Sequence, residues 1–406
     1  MKPEKKLYCL PFVAVAIALV LWLSGCAPTV RLTARQKAIE EIHAWSYPDF
    51  SDDMDYGGLQ RGISQSLSYL KKIPVDRQFV FGPDRYRTDH MIASLQQFLD
   101  FIQTRPPARE LNAYIRANYR VYRSVGRNAD NEVLFTGYYE PHLRGSLVRH
   151  DDYQYPVFAR PRDLVSIDLA LFSEQYNGKK IIGRCAGRTV VPYDERAQIT
   201  SDESTFQNRA EVLAWVKDPV DDFFMQIQGS GKIYLDNGQV INVHYDTTNG
   251  QPYRSIGKLL IDEEKISREQ MSMQQIRRYL QEHPEERQRI LNHNPSYVFF
   301  KIEPDGPLGN INVPLTAGRS LALDRRLFPP AALAFIETEK PLVDGSDRIA
   351  GWTACNRFVL NQDTGGAIKG PGRADLFWGS GPYAEIAAGY LKNPGKLYFL
   401  VLKPDT

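Results

Sequence analysis

Cysteine, clustered histidine, internal repeats and net charge are all scarce in this 406-residue chain, and each scarcity excludes something. Of four cysteines, Cys9 and Cys26 belong to an apolar opening stretch, which leaves Cys185 and Cys355. Two separate buried thiols are expected in preference to a pair, so no disulfide framework is anticipated. The seven histidines are scattered, and His90, His142 and His150 form no helical pair. Neither a metal centre nor a cofactor is expected. The formal charge of +2 falls to about zero without the three Lys and one Glu of the first six residues, which speaks against a nucleic-acid partner.

What is present begins with an address. Lys2, Lys5 and Lys6 precede an uncharged apolar run from Leu7 to Leu23, followed by Ser24-Gly25-Cys26. A basic flank, an apolar core and a small-residue cleavage region are the parts of a secretory signal. The Leu-Ser-Gly-Cys ending resembles a bacterial lipobox, which implies cleavage before Cys26 and lipidation of that residue. A plain transmembrane anchor is the alternative, although the run is just short of a comfortable span. Ala27 at the next position resembles outer-membrane sorting, so the expected location is the periplasmic face of the outer membrane.

The remaining length suggests two domains. Helical spacing marks 58–72, with Leu59, Ile63, Leu67 and Leu70, then 89–103, and a third helix from about Arg109. Val133 to Pro141 reads as a strand entering a loop. Short strands are expected to about Asp262, including Asp222 to Tyr234, where Gln226 and Gln228 would share a strand face and offer amides to sugar hydroxyls. Helices follow over 270–282 and from 285 to about 295. Strand signals then dominate: 297–302, 317–323, 333–337, 353–360 and 396–402, broken by a helix near 383–391. About six short strands closed into a barrel suit that spacing.

The chemistry concentrates in Asp363-Thr364-Gly365-Gly366-Ala367-Ile368-Lys369-Gly370-Pro371-Gly372-Arg373-Ala374-Asp375-Leu376-Phe377-Trp378-Gly379. Two carboxylates bracket a glycine-rich turn, and large apolar residues follow the second. Apolar neighbours and a second carboxylate both disfavour ionisation, so an acid protonated near neutral pH is expected at Asp375. Such an acid is what a departing glycosidic oxygen needs. A hairpin whose aspartates bond to the turn backbone is the other reading.

Taken with Thr136-Gly137-Tyr138-Tyr139-Glu140-Pro141, Phe224-Met225-Gln226-Ile227-Gln228-Gly229-Ser230-Gly231, Tyr253-Arg254-Ser255-Ile256-Gly257 and Asn294-Pro295-Ser296-Tyr297-Val298-Phe299-Phe300, this stretch resembles the membrane-bound lytic murein transglycosylase A family. Its C-terminal part is similar to the domain named for three aspartates, here Asp324, Asp363 and Asp375. The loop between the last two is a residue longer than in the best-known members.

The resemblance implies a mainly β fold with helices (α+β): a double-psi β-barrel plus an inserted β-rich domain, with a glycan groove between them. The boundaries that follow are 1–25 for the signal, 26–75 for an anchor-proximal helical segment and 76–130 for the N-terminal part of the barrel domain. The inserted substrate-groove domain would span 131–262, and a helical connection with the three-aspartate barrel domain 263–406. It implies cleavage of peptidoglycan between N-acetylmuramic acid and N-acetylglucosamine with formation of a 1,6-anhydro end. Asp375 would act as acid then base, supported by Asp363. Candidate groove residues are Thr136, Tyr138, Gln226, Gln228, Ser230, Asp324, Lys369 and Trp378. Implied partners are glycan strands, a membrane through the Cys26 anchor, and murein synthases. Two functions compete: hydrolysis by an Asp363–Asp375 pair, and a non-catalytic peptidoglycan-binding lipoprotein.

Overall fold

The computed structural model describes residues 33–404. Cys26 and the apolar run before it lie outside the described residues, and among the described residues no helix is long and apolar enough to cross a membrane.

Six strands form the scaffold of the site: β1 (Val133–Tyr138), β2 (Ser320–Ala322), β3 (Leu333–Val343), β4 (Ile349–Asp363), β5 (Arg373–Phe377) and β6 (Lys392–Leu402). Their order is β6-β3-β4-β2-β5-β1, and β1 pairs back onto β6, which closes a barrel. The β2–β4 and β5–β1 pairs are parallel and the other four antiparallel. The strands outrun their sequence signals: β3 continues to Val343 and β4 spans 15 residues, because their far ends gain ladder partners in each other. Strand Tyr119–Ser124 adds to β6, and Ile39–Ile42 adds to that strand.

Alternation along the strands fills the barrel with apolar side chains, among them Leu321, Val359, Leu376 and Phe399, and turns Phe335, Phe358 and Leu360 to the other face; all are fully buried. Helices α1 (Leu59–Leu70), α2 (Thr88–Ile102) and α3 (Ala108–Asn118) add their apolar stripes to the same core. Phe98 of α2 packs 5.0 Å from the Phe358 ring. Cys355 is buried here, whereas Cys185 is exposed on a peripheral three-stranded sheet, so the expectation of burial fails for Cys185.

A second sheet of six strands has its own core around Val157, Val216, Met225, Ile233 and Phe300. Its order is 298–303, 240–248, 230–235, 142–146, 212–216 and 155–158. One expectation is corrected beside it. Residues Pro219–Gln228 form helix α4, and the strand begins only at Ser230. Asp218 caps the helix by accepting from Val220 N at 2.8 Å, Pro219 opens it, and Gly229 ends it at φ 83°. These terminators outweigh the β-forming tendency of Phe223, Phe224 and Ile227. Helices α5 (Ile256–Asp262), α6 (Met273–Glu282) and α7 (Pro284–Asn292) pack with α4 in a third apolar cluster, and α8 (Pro382–Tyr390) lies against β1.

Candidate active site

Register alone brings the two aspartates into one row. Ala322 of β2 pairs with Asp363 of β4 on one side and Asp375 of β5 on the other, and Asp375 pairs with Thr136 of β1. Directly opposed residues share a face, so Asp363, Ala322, Asp375 and Thr136 line one strip across four strands. Asp363 and Asp375 are therefore two strand spacings apart, roughly 10 Å between Cα atoms. The strand neighbours of Asp375, Ala374 and Leu376, point into the barrel and are fully buried. The row thus lies on the face away from the barrel core.

Asp375 Oδ1 accepts from the Thr136 hydroxyl and, at 2.9 Å, from Arg373 Nε. Its side chain is 17% exposed, so it remains reachable from outside. Arg373 was absent from the sequence candidates, yet it stands two positions before Asp375 on one strand, and a period of two puts both on one face. Phe377 follows on that face, and its ring lies 5.2 Å from that of Tyr138.

Asp363 is held from three directions. Its Oδ2 accepts from the Tyr138 hydroxyl at 2.8 Å, and its Oδ1 accepts the backbone N–H groups of Thr364 at 2.8 Å and Asn310 at 3.0 Å. Burial pushes its pKa up to about 6 against these donors, with the Asp375 charge adding to the rise. The Tyr138 hydroxyl is pushed well above its ordinary value, first by burial and then by the Asp363 charge. Burial thus raises the carboxyl of Asp363, the aspartate given a supporting role in the sequence reading.

The glycine-rich turn between them is anchored by the third aspartate. Asp324 is buried, forms a forked pair with Arg326 and accepts from Gly370 N at 2.9 Å. Burial alone would raise its pKa, but Arg326 and the Gly370 N–H outweigh that and hold it at about 2. Asp324 is therefore committed to the turn and does not open outward. Gly372 fits because the chain passes close to Arg127: a Cβ there would lie 2.7 Å from Arg127 N. Lys369 is exposed on the same turn.

Other candidates are placed elsewhere. Trp378 is only 7% exposed; it follows Ala374 and Leu376 on the core face of β5, where it packs against Tyr383 and over Gly137. It is therefore a core residue and offers no open ring face for stacking. Gln226 is buried on α4: its Oε1 accepts from Arg196 at 2.8 Å and Val298 N at 3.2 Å, and its amide donates to Asp222 at 2.7 Å. Gln228 turns the other way on the helix and accepts from Tyr139 N at 3.0 Å, tying α4 to the residue after Tyr138. Ser230 is buried and pairs with His244 inside the second sheet. The shared face expected of Gln226 and Gln228 is lost because helical residues two apart diverge. Among the described residues no group of three His, Cys, Asp or Glu side chains would hold a metal ion.

Two cavities reach within one residue of this cluster. One of about 600 Å³ runs between α4, at Ile227 and Gln228, and the end of α8, at Ala388 and Gly389, with Tyr253 and Met271 on its wall. The other, of about 200 Å³, includes Asn310, whose N–H binds Asp363.

A closed barrel that carries two coupled aspartates on its outer face, beside an independent sheet, describes a class of glycan-cleaving enzymes. Comparison with known proteins makes the assignment: the family described as the MltA specific insert domain matches residues 134–301, and the 3D domain matches residues 319–401. The membrane-bound lytic murein transglycosylase A of Escherichia coli K12 is 34% identical over 281 residues, 68% of each chain. The chain therefore belongs to the membrane-bound lytic murein transglycosylase A family. The crystal structure of the Agrobacterium tumefaciens membrane-bound lytic murein transglycosylase has a TM-score of 0.72 at 28% identity, over 90% of this chain and 98% of that one. The E. coli MltA structure with bound chitohexaose has a TM-score of 0.68 at 26% identity, over 93% of this chain and 100% of that one.

Proposed function

We propose that this chain is a peptidoglycan lytic transglycosylase in which Asp375 handles the proton. The observation that carries the reading is the cross-strand row, with Asp375 half-open on the outer face of the barrel between Thr136 and Arg373. As the acid, Asp375 donates its proton to the oxygen that joins N-acetylmuramic acid to N-acetylglucosamine, and the C1–O bond breaks. The C6 hydroxyl oxygen of the muramic ring then bonds to C1, and its proton passes to the Asp375 carboxylate. The acid is restored, no water is consumed, and the product carries a 1,6-anhydro end.

One acid suffices because the nucleophile is already tethered to the reacting carbon. Well-placed intramolecular groups reach effective molarities of roughly 10⁵–10⁸ M, far above bulk water. Thr136 and Arg373 orient the carboxyl, and Asp363 with Tyr138 braces the neighbouring end of β4. The double-psi arrangement of the barrel is supported by its two parallel strand pairs. The cleft between α4 and α8 supports a glycan groove between the two sheets, with Thr136, Tyr138 and Lys369 as the contacts nearest the chemistry. Attachment through lipidated Cys26 at the periplasmic face of the outer membrane, and association with murein synthases, belong to the same reading.

One observation favours a second reading. Asp363, with its pKa raised to about 6, holds a proton further into the neutral range than an ordinary carboxyl. A two-aspartate hydrolysis would use that proton and consume water.

The test is mass spectrometry of muropeptides released from purified sacculi by the full chain in detergent, beside Asp375→Asn. Release of 1,6-anhydromuropeptides by the wild type and none by the variant is expected. Products carrying an added water would overturn the water-free step in favour of the hydrolase.

A further inference from the structure

The 200 Å³ cavity beside Asn310 is lined by Arg35, Arg77 and Arg325 together with Tyr69 and Phe79, and by no acidic residue. It gathers distant parts of the chain: the N-terminal turn, the end of α1, the hairpin at 78–87, the loop after β2 and the loop at 309–312. Two of the guanidinium groups are built into place. Arg35 donates from Nε to the Arg326 carbonyl at 3.0 Å, and Arg77 lies 5.7 Å from the Phe79 ring centre while it donates to the Tyr69 hydroxyl at 3.2 Å. All three arginines are exposed to solvent.

Among the described residues, none of the three has a carboxylate within 4.0 Å, whereas the adjacent Arg326 is paired with Asp324 at 2.7 Å. Three like charges around one small cavity set up a positive potential that favours an anion among them. Guanidinium groups fixed by carbonyl, hydroxyl and ring contacts present forks suited to a carboxylate or phosphate.

Position selects the carboxylate. One residue of the cavity lining is Asn310, whose N–H binds Asp363 at 3.0 Å, and Asp363 stands in the same row as Asp375. On the proposed function, on which this inference rests, the muramic ring sits at Asp375 and carries a peptide stem with free carboxylates on its lactyl group. A stem of about four residues spans up to ~14 Å when extended, enough to pass from Asp375 beyond Asp363. We propose that this arginine-lined cleft binds the carboxylates of the peptide stem on the muramic ring being cleaved, so that the enzyme favours stem-bearing over stripped glycan.

The full chain in detergent is assayed on stem-bearing glycan strands and on strands stripped by an amidase, as wild type and as Arg77→Ala/Arg325→Ala. The wild type is expected to favour stem-bearing strands by about tenfold in kcat/KM, and the double variant to lose that preference while its rate on stripped strands stays within about twofold. Absence of preference in the wild type, or an equal fall on both substrates, would overturn the proposal. Arg325→Gln, at an exposed position, gives a partial loss of preference if the double variant fails to fold. A separate titration of Asp375→Asn with a free stem tetrapeptide, native or amidated at its carboxyls, reads the cleft without catalysis. Binding of the native peptide alone, abolished by Arg77→Ala/Arg325→Ala, supports the cleft even if no anhydro product forms. Binding of phosphatidylglycerol vesicles with none of the peptide would assign the cleft to lipid phosphate and overturn it.

Discussion

Arg373 and Asp375 stand two residues apart on one strand, and their side chains meet at 2.9 Å on the face of the barrel that carries the chemistry. The pair, with Thr136, fixes one carboxyl oxygen, Oδ1, on a side chain that is still 17% exposed. Removing the guanidinium frees the carboxyl to rotate, which harms the reacting geometry more than it harms substrate binding. Arg373→Gln is expected to lower kcat by about 10- to 100-fold with KM changed by less than about threefold. Arg373→Lys should recover part of that loss, and an unchanged kcat in the Gln variant would rule out the orienting role.

Thr136 supplies the second hold on the same oxygen, from the parallel neighbour strand. Thr136→Val keeps the shape and the strand preference and removes only the donor. Loss of one hydrogen bond of ordinary strength predicts a fall of about tenfold in kcat. Thr136→Ser should restore most of the rate. Equal activity in Val and Ser variants would show that the hydroxyl does not matter.

Asp363 makes stability depend on pH in a definite direction. Burial raises its folded pKa from 3.8 to about 6, with Tyr138 and Asp375 the titratable groups that face it. The folded state then holds this proton where the unfolded state has lost it, so stability falls as pH rises from about 4 to 6 and levels off above. Asp363→Asn cannot ionise, and its stability curve should lack about 2–3 kcal/mol of that fall relative to wild type. Denaturant midpoints measured across that range for both proteins decide it; parallel curves would mean that Asp363 titrates normally.

Much of the barrel is legible in the sequence because β1, β3, β4 and β6 carry runs of β-forming residues, whereas β5, Arg-Ala-Asp-Leu-Phe, reads as part of the glycine-rich turn and becomes a strand only through its pairing with β1 and β2. The misreading of 222–234 had a signal against it, since Asp218-Pro219 and Gly229 are helix terminators at helix spacing. Arg373 and Trp378 were also within reach. Once Asp375 is set on the outer face of a strand, position 373 joins it there and 378 turns inward with 374 and 376. The hold on Asp363 is different in kind, because Asn310 is 53 residues away and meets it only through the folded loop. The same applies to Asp324, whose grip on Gly370 spans 46 residues and depends on tertiary closure that no local pattern records.

The row of aspartates also depends on a buried ion pair beneath it. Arg319 directly precedes β2, the strand that separates Asp363 from Asp375, and its side chain is 0% exposed against 1% for Asp52. Its guanidinium forks onto Asp52 at 2.6 and 2.7 Å, and it also donates to the Gly57 and Phe358 carbonyls at 2.9 and 2.8 Å. With every strong contact in place the pair is tolerated; with one partner missing, a charge is stranded in the core. Asp52→Ala should therefore cost about 3–5 kcal/mol, read as a fall in the denaturant midpoint. Adding Arg319→Met removes the stranded charge, and the double variant should regain a large part of that loss, because similar volume without charge is often tolerated there. Strict additivity of the two single losses would instead mean that the residues act independently, and that β2 is held by its ladders alone.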